Sequence, residues 1–109
     1  VRMAIALKSS ARITGVRAET LFAMRVAEGV FEDRKLGLMT VTSCADGKHS
    51  AGSKHYTGGA FDIRTRDIPQ DQWQIVAGDI RERLGSEFDV VVEKDHFHVE
   101  LDPKSPINA

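Results

Sequence analysis

Two strand-like runs close the chain and dictate how it must pair. They are Phe88–Val92 (FDVVV) and residues 97–101 (FHVEL), separated by the polar residues 93–96. So short a polar spacer between β-rich runs predicts an antiparallel hairpin. A two-stranded hairpin is marginal alone in water, so further strands or a helix must cover its apolar face.

The rest of the sequence offers both. Residues 17–33 read as a helix, with Phe22, Val26 and Val30 recurring every four positions and Leu21 and Met24 widening the stripe. Gly37 then breaks the chain, and residues 38–43 (LMTVTS) read as a strand. Residues 44–57 form a Gly-, Ser-, Lys- and His-bearing loop, long enough to suggest a functional role. Residues 59–64 (GAFDIR) read as another strand. Pro69 opens a second helix, with Trp73, Val76, Ile80 and Leu84 on one face and Gly85 as its stop. The tail from Asp102 holds Pro103 and Pro106 and is expected to be extended. The predicted fold class is α+β, a small antiparallel sheet with helices packed against it.

A chain of 109 residues suffices for one domain, with its core expected over about residues 17–101. Hydrophobic residues at 41% and a net charge of -1 set it apart from disordered chains. The same balance gives no basic surface for nucleic acid or for an anionic membrane. A lone cysteine, Cys44, excludes an internal disulfide and is expected as a small buried residue at a strand end. No apolar run reaches the roughly 20 residues of a membrane span. Residues 1–7 are apolar but short and contain Arg2, so no signal peptide is read there. The chain starts with Val rather than Met, which suits a trimmed product with a targeting segment or wall-binding domain outside it. A monomer is expected.

The four histidines, His49, His55, His96 and His98, all fall in two polar patches, and none lies on either expected helix. Asp62 stands between Phe61 and Ile63, so in a regular strand it points opposite to them. A carboxylate there needs a partner, which can be a metal ion, a salt bridge or a capped turn. His96 and His98 are two apart, so their rings share a strand face while Phe97 turns to the core. Such a pair can bind a metal, flank a substrate or simply sit exposed. A hydrolytic zinc site takes three His or Asp/Glu ligands and leaves a position for water. It also needs a carboxylate off the metal to take a proton. Asp95, three residues before His98, has that chemistry, and Glu93 is an alternative at a less suitable spacing. Glu100 shares the face of His98 and is either a surface carboxylate or a group that orients the ring. Trp73 and the phenylalanines are expected in the core.

Residues 53–62 (SKHYTGGAFD) read S-x-H-x-x-G-x-A-x-D, and residues 95–98 (DHFH) read D-H-x-H. In this order the pair resembles the D-alanyl-D-alanine/L-alanyl-D-glutamate peptidases, peptidase family M15, which share their fold with the Hedgehog signalling domain. The resemblance covers the chain from the first helix to Leu101. It implies zinc ligands at His55, Asp62 and His98, Asp95 as general base, and His96 as a stabiliser of the tetrahedral oxyanion. Ser53 would be a hydrogen-bonding support, and Gly58 and Ala60 would allow close backbone packing behind the metal. The implied substrate is a bacterial peptidoglycan peptide containing D-amino acids, cut at the cell wall, and a small member of this kind is similar to phage or prophage lysins. Many members carry an arginine after the strand that precedes the long loop; residues 43–49 (SCADGKH) have none. Lys48, His49 or Arg64 would then supply the positive charge, and Lys is a poorer bidentate clamp than Arg. Two other readings stand beside the enzyme: a zinc-binding module that no longer hydrolyses, as among the Hedgehog relatives, and a non-metal domain whose histidines are incidental. Retention of Asp95 favours the enzyme.

Overall fold

The computed structural model describes residues 5–44 and 58–103. The elements run β1 (Ile5–Leu7), α1 (Ala18–Asp33), β2 (Met39–Ser43), β3 (Ala60–Arg64), a 3-10 turn (Gln70–Gln72), α2 (Trp73–Leu84), β4 (Phe88–Val92) and β5 (His96–Leu101). The five strands form one sheet in the order β1-β2-β3-β5-β4. The closing hairpin forms as the spacing predicts, with Glu93 N–H donating to the His96 carbonyl at 2.8 Å.

The sheet is mixed rather than purely antiparallel, which corrects the sequence reading. β1 pairs parallel to β2, with Ile5 opposite Met39 and Leu7 opposite Val41. Three residues give too little periodicity to reveal a strand, so only the neighbouring edge of β2 defines it. Ile5 also packs on the core, so the sheet begins ahead of residue 17.

Strand alternation separates the two faces. Val41, Phe61, Ile63, Phe97 and Val99 are fully buried on one face, in a single cluster with Met24, Val30, Val76 and Ile80 of the helices. Both helices therefore cover this face, and the polar residues between those positions occupy the other. β2 carries a bulge: Val41 pairs with Ile63, but Ser43 pairs with Asp62. The extra residue re-aims the side chains around Thr42.

α1 turns a different face inward from the one its large apolar residues suggest. Its buried residues are Thr20, Ala23, Met24, Ala27, Glu28, Val30 and Phe31, while Phe22 is 67% exposed and Val26 only half-buried. The start of the helix sets this rotation. Thr20 Oγ1 and the Arg17 N–H both donate to the Gly58 carbonyl, at 2.9 Å each. Gly58 has φ +75°, and a Cβ there would overlap the Gly15 carbonyl oxygen. Its close packing is thus against the segment leading into α1. The helix ends at Asp33, and the chain reverses at Lys35 (φ 55°), two residues ahead of Gly37. α2 matches its pattern: Val76 and Ile80 are buried, Trp73 and Leu84 pack on the core, and Gly85 (φ 82°) caps the end. Pro69 precedes the 3-10 turn that runs into it. Cys44 is fully buried at the end of β2. No helix among the described residues is long and apolar enough to cross a membrane.

Candidate functional site

The adjacent strands β3 and β5 bring the site together. Their register sets Asp62 opposite His98 and Arg64 opposite His96. All four project from the face away from the helices, because Phe61, Ile63 and Phe97 between them point inward. Two segments that carry separate sequence motifs thus share one surface.

His98 is the most constrained member. Its Nδ1 lies 2.9 Å from Asp62 Oδ1, and its Nε2 lies 2.8 Å from Glu100 Oε1. The side chains of His98 and Asp62 are only 19% and 13% exposed. Ionised carboxylates accept and do not donate, so both ring nitrogens must carry protons and His98 is an imidazolium. The Asp62 hydrogen bond is the main cause, burial opposes it, Glu100 adds to it, and the pKa rises from 6.5 to about 9. Glu100 therefore does hold the ring of His98.

His96 belongs to a second pair. Its Nδ1 lies 2.7 Å from Asp95 Oδ1, and its Nε2 is 3.7 Å from Asp62 Oδ2, beyond hydrogen-bond reach. Asp95 stands in the hairpin turn with its side chain 84% exposed. The hydrogen bond from His96 chiefly holds its carboxyl below the ordinary 3.8, slightly opposed by burial.

Asp62 and His98 are two donors of the types zinc takes. A tetrahedral site with bonds of about 2.05 Å spaces neighbouring ligand atoms roughly 3.3 Å apart. Asp62 Oδ1 and His98 Nδ1 already converge at 2.9 Å on the half-buried face. Loss of the proton between them would leave one nitrogen and one oxygen able to act as donors. The Glu100 carboxylate on the far nitrogen is the kind of outer partner that orients a metal-binding imidazole. The third ligand that the resemblance implies, His55, lies outside the described residues, as do Ser53, Lys48 and His49.

Sequence reasoning missed two neighbouring features. Asp89, Glu100 and Asp102, all partly buried, each place an oxygen within 4.8 Å of the others and could hold a metal ion. An all-oxygen set suits a hard cation better than zinc. The register explains the group: Asp89 faces Glu100 across β4 and β5, and Asp102 lies two residues beyond Glu100. The second feature is a cleft of about 300 Å³ lined by Lys8, Thr42, Arg64, Arg66, Asp95 and His96. Of the three residues the sequence offers for a substrate-binding charge, Lys48, His49 and Arg64, the last lines this cleft. Arg66 could have been found by counting two residues on, whereas Lys8 reaches the cleft only because β1 pairs with β2.

No protein-family model and no curated protein sequence matches the chain.

Proposed function

We propose that this chain is a zinc-dependent peptidase that hydrolyses a peptide bond in bacterial peptidoglycan stem peptides. The observation that carries this reading is the 2.9 Å approach of Asp62 Oδ1 to His98 Nδ1, donors 36 residues apart in the chain. They are two of the three ligands implied by the motif resemblance, with His55 as the third. The chemistry a zinc ion supplies when bound is Lewis acidity, which polarises a scissile carbonyl and acidifies a water. Asp95 is exposed and ionised, so it can take a proton from the attacking water and return it to the leaving amine. Its lowered pKa makes it a weak base, so closeness to an acidified water must compensate. His96, anchored through Nδ1, has Nε2 free to donate to a developing oxyanion when the ring is protonated. The substrate class, the site of action at the cell wall, and the likeness to phage or prophage lysins follow from the resemblance.

The 2.7 Å bond between Asp95 and His96 also supports a second arrangement, in which a neutral His96 oriented by Asp95 takes the proton at Nε2. The two differ in which substitution does more damage. If Asp95 is the base, Asp95→Ala loses at least as much activity as His96→Ala. If His96 is the base, His96→Ala loses more.

The test is mass spectrometry of purified peptidoglycan after digestion, with zinc content measured on the same preparations. Wild type should bind one zinc and release stem-peptide fragments. Asp95→Ala should keep the zinc and lose about 100-fold or more in rate. Cleavage by Asp95→Ala as fast as wild type removes Asp95 from the mechanism. Wild type that holds zinc but releases nothing is a non-catalytic, Hedgehog-like module, and wild type without stoichiometric zinc ends the metal reading.

A further inference from the structure

We propose that Thr65 is a positioning residue for Asp95, its buried hydroxyl closing on the Asp95 carbonyl when the site is loaded and so fixing the turn that carries the carboxylate. The proposal rests on the peptidase reading above and adds a residue that neither motif contains.

Thr65 is fully buried, and among the described residues its Oγ1 has no hydrogen-bond partner. A buried hydroxyl left unpaired costs free energy that an apolar group of the same shape does not. Such groups are rare in folded chains, and each calls for an explanation.

The sheet register shows what lies across from it. β3 and β5 pair so that Ala60 faces Glu100 and Arg64 faces His96. Continued by one residue, the same register sets Thr65 opposite Asp95. That rung is loose. Thr65 N–H donates to the Asp95 carbonyl at 3.4 Å, whereas Leu101 N–H meets the Gly59 carbonyl at 2.7 Å at the other end of the same two strands. The Thr65 carbonyl accepts from Ile68 N–H at 2.9 Å rather than completing the rung. The turn bearing Asp95 is therefore tied weakly here to β3, and its side chain is exposed.

Oγ1 and the amide nitrogen of Thr65 flank one Cα–Cβ bond, so both can reach the same acceptor. A carbonyl oxygen has two lone pairs, enough for both donors. Tightening the amide bond from 3.4 Å to an ordinary length of about 2.9 Å draws the turn toward β3 and toward the hydroxyl. The pull is electrostatic, because Asp95 carries the charge that a cation held at Asp62 and His98 attracts. Hydrogen bonds of a catalytic site are commonly long when it is empty and tighten in the complex. A hydroxyl unpaired at rest and paired when loaded biases the fold toward the loaded state.

Thr65→Val removes the hydroxyl and keeps the shape, and Thr65→Ser keeps the hydroxyl. In chelator, the urea midpoint of Thr65→Val should equal or exceed that of wild type, since no bond is lost. A lower midpoint would mean that the hydroxyl is bonded at rest and overturns the proposal. On loading with zinc alone, hydrogen exchange at the residue 65 amide should slow about tenfold in wild type and Thr65→Ser and stay level in Thr65→Val. With soluble stem peptides as substrate, Thr65→Val should lower kcat about tenfold at unchanged KM, and Thr65→Ser should recover most of the loss.

Equal kcat in wild type and Thr65→Val overturns the positioning role and leaves the peptidase reading in place. So does a loss that serine fails to recover. If wild type cleaves nothing, the peptidase reading falls, and exchange at residue 65 decides alone. Slowing in wild type and Thr65→Ser but not in Thr65→Val would then sustain the closure, and equal behaviour in all three would overturn it.

Discussion

His98 concentrates the chemistry of this molecule in one ring. It lies between Asp62 and Glu100, so without metal it is a cation held by two carboxylates. Its folded pKa of about 9 stands above the ordinary 6.5. A raised pKa contributes stability in full below about pH 6.5, and that stability is lost as pH rises through about 9. In chelator, the urea midpoint should therefore fall across that window, and His98→Gln should flatten the slope. A wild-type midpoint that stays level from pH 6 to 10 would remove the His98 imidazolium from the account. With zinc present the trend should reverse at its acid end, because binding needs the ring deprotonated. Strand alternation made the shared face of His96 and His98 legible in the sequence. Which carboxylate each ring meets was not, because alternation is silent on register.

At the scale of elements, α1 is the instructive case. Counting large apolar residues points to Phe22, Val26 and Val30 with Leu21 and Met24; of these the helix buries Met24 and Val30, together with Thr20, Ala23, Ala27, Glu28 and Phe31. Ala23 and Ala27 are fully buried in the core cluster, and the bonds to the Gly58 carbonyl hold that rotation. A hydropathy stripe weights large side chains, while a close-packed core also selects small ones. The rotation has a direct consequence. Met24→Ala should cost about 2–5 kcal/mol, whereas Phe22→Ala should stay within about 0.5 kcal/mol. Denaturant midpoints of the two variants decide it, and a larger loss at Phe22 would contradict the buried face described.

At the scale of the whole molecule, the helices are tied to each other as well as to the sheet. Asp79 on α2 bonds Arg34 at 3.0 Å and Arg83 at 3.1 Å, and Arg83 also reaches Asp33 at 2.9 Å. Burial raises the Asp79 pKa, but the hydrogen bonds from Arg34 and Arg83 outweigh it and the value falls below 3.8. A depressed carboxyl pKa contributes stability above its unfolded value, and that is lost as pH falls through the folded one. Asp79→Asn should thus cost about 0.5–1 kcal/mol at pH 7 for a partly exposed network. The gap to wild type should close in acid, as urea titrations at pH 7 and pH 3 would show. A gap of equal size at both would mean that the carboxylate charge is not what ties the helices.

The sequence by itself determined the two helices, four of the five strands, the hairpin, and the strand faces of Asp62, His96 and His98. These depend on local spacing, which backbone geometry converts directly into direction. Tertiary structure alone decided which elements lie side by side. It paired β1 with β2, set Asp62 against His98, gave His98 a second carboxylate in Glu100, and gathered Lys8, Arg64 and Arg66 around one cleft. Each of these depends on register or on contact between distant segments, and no local pattern carries that information. The shared face of Asp62 and His98 could therefore be read from spacing, while the charge beside it emerged only when the sheet was assembled.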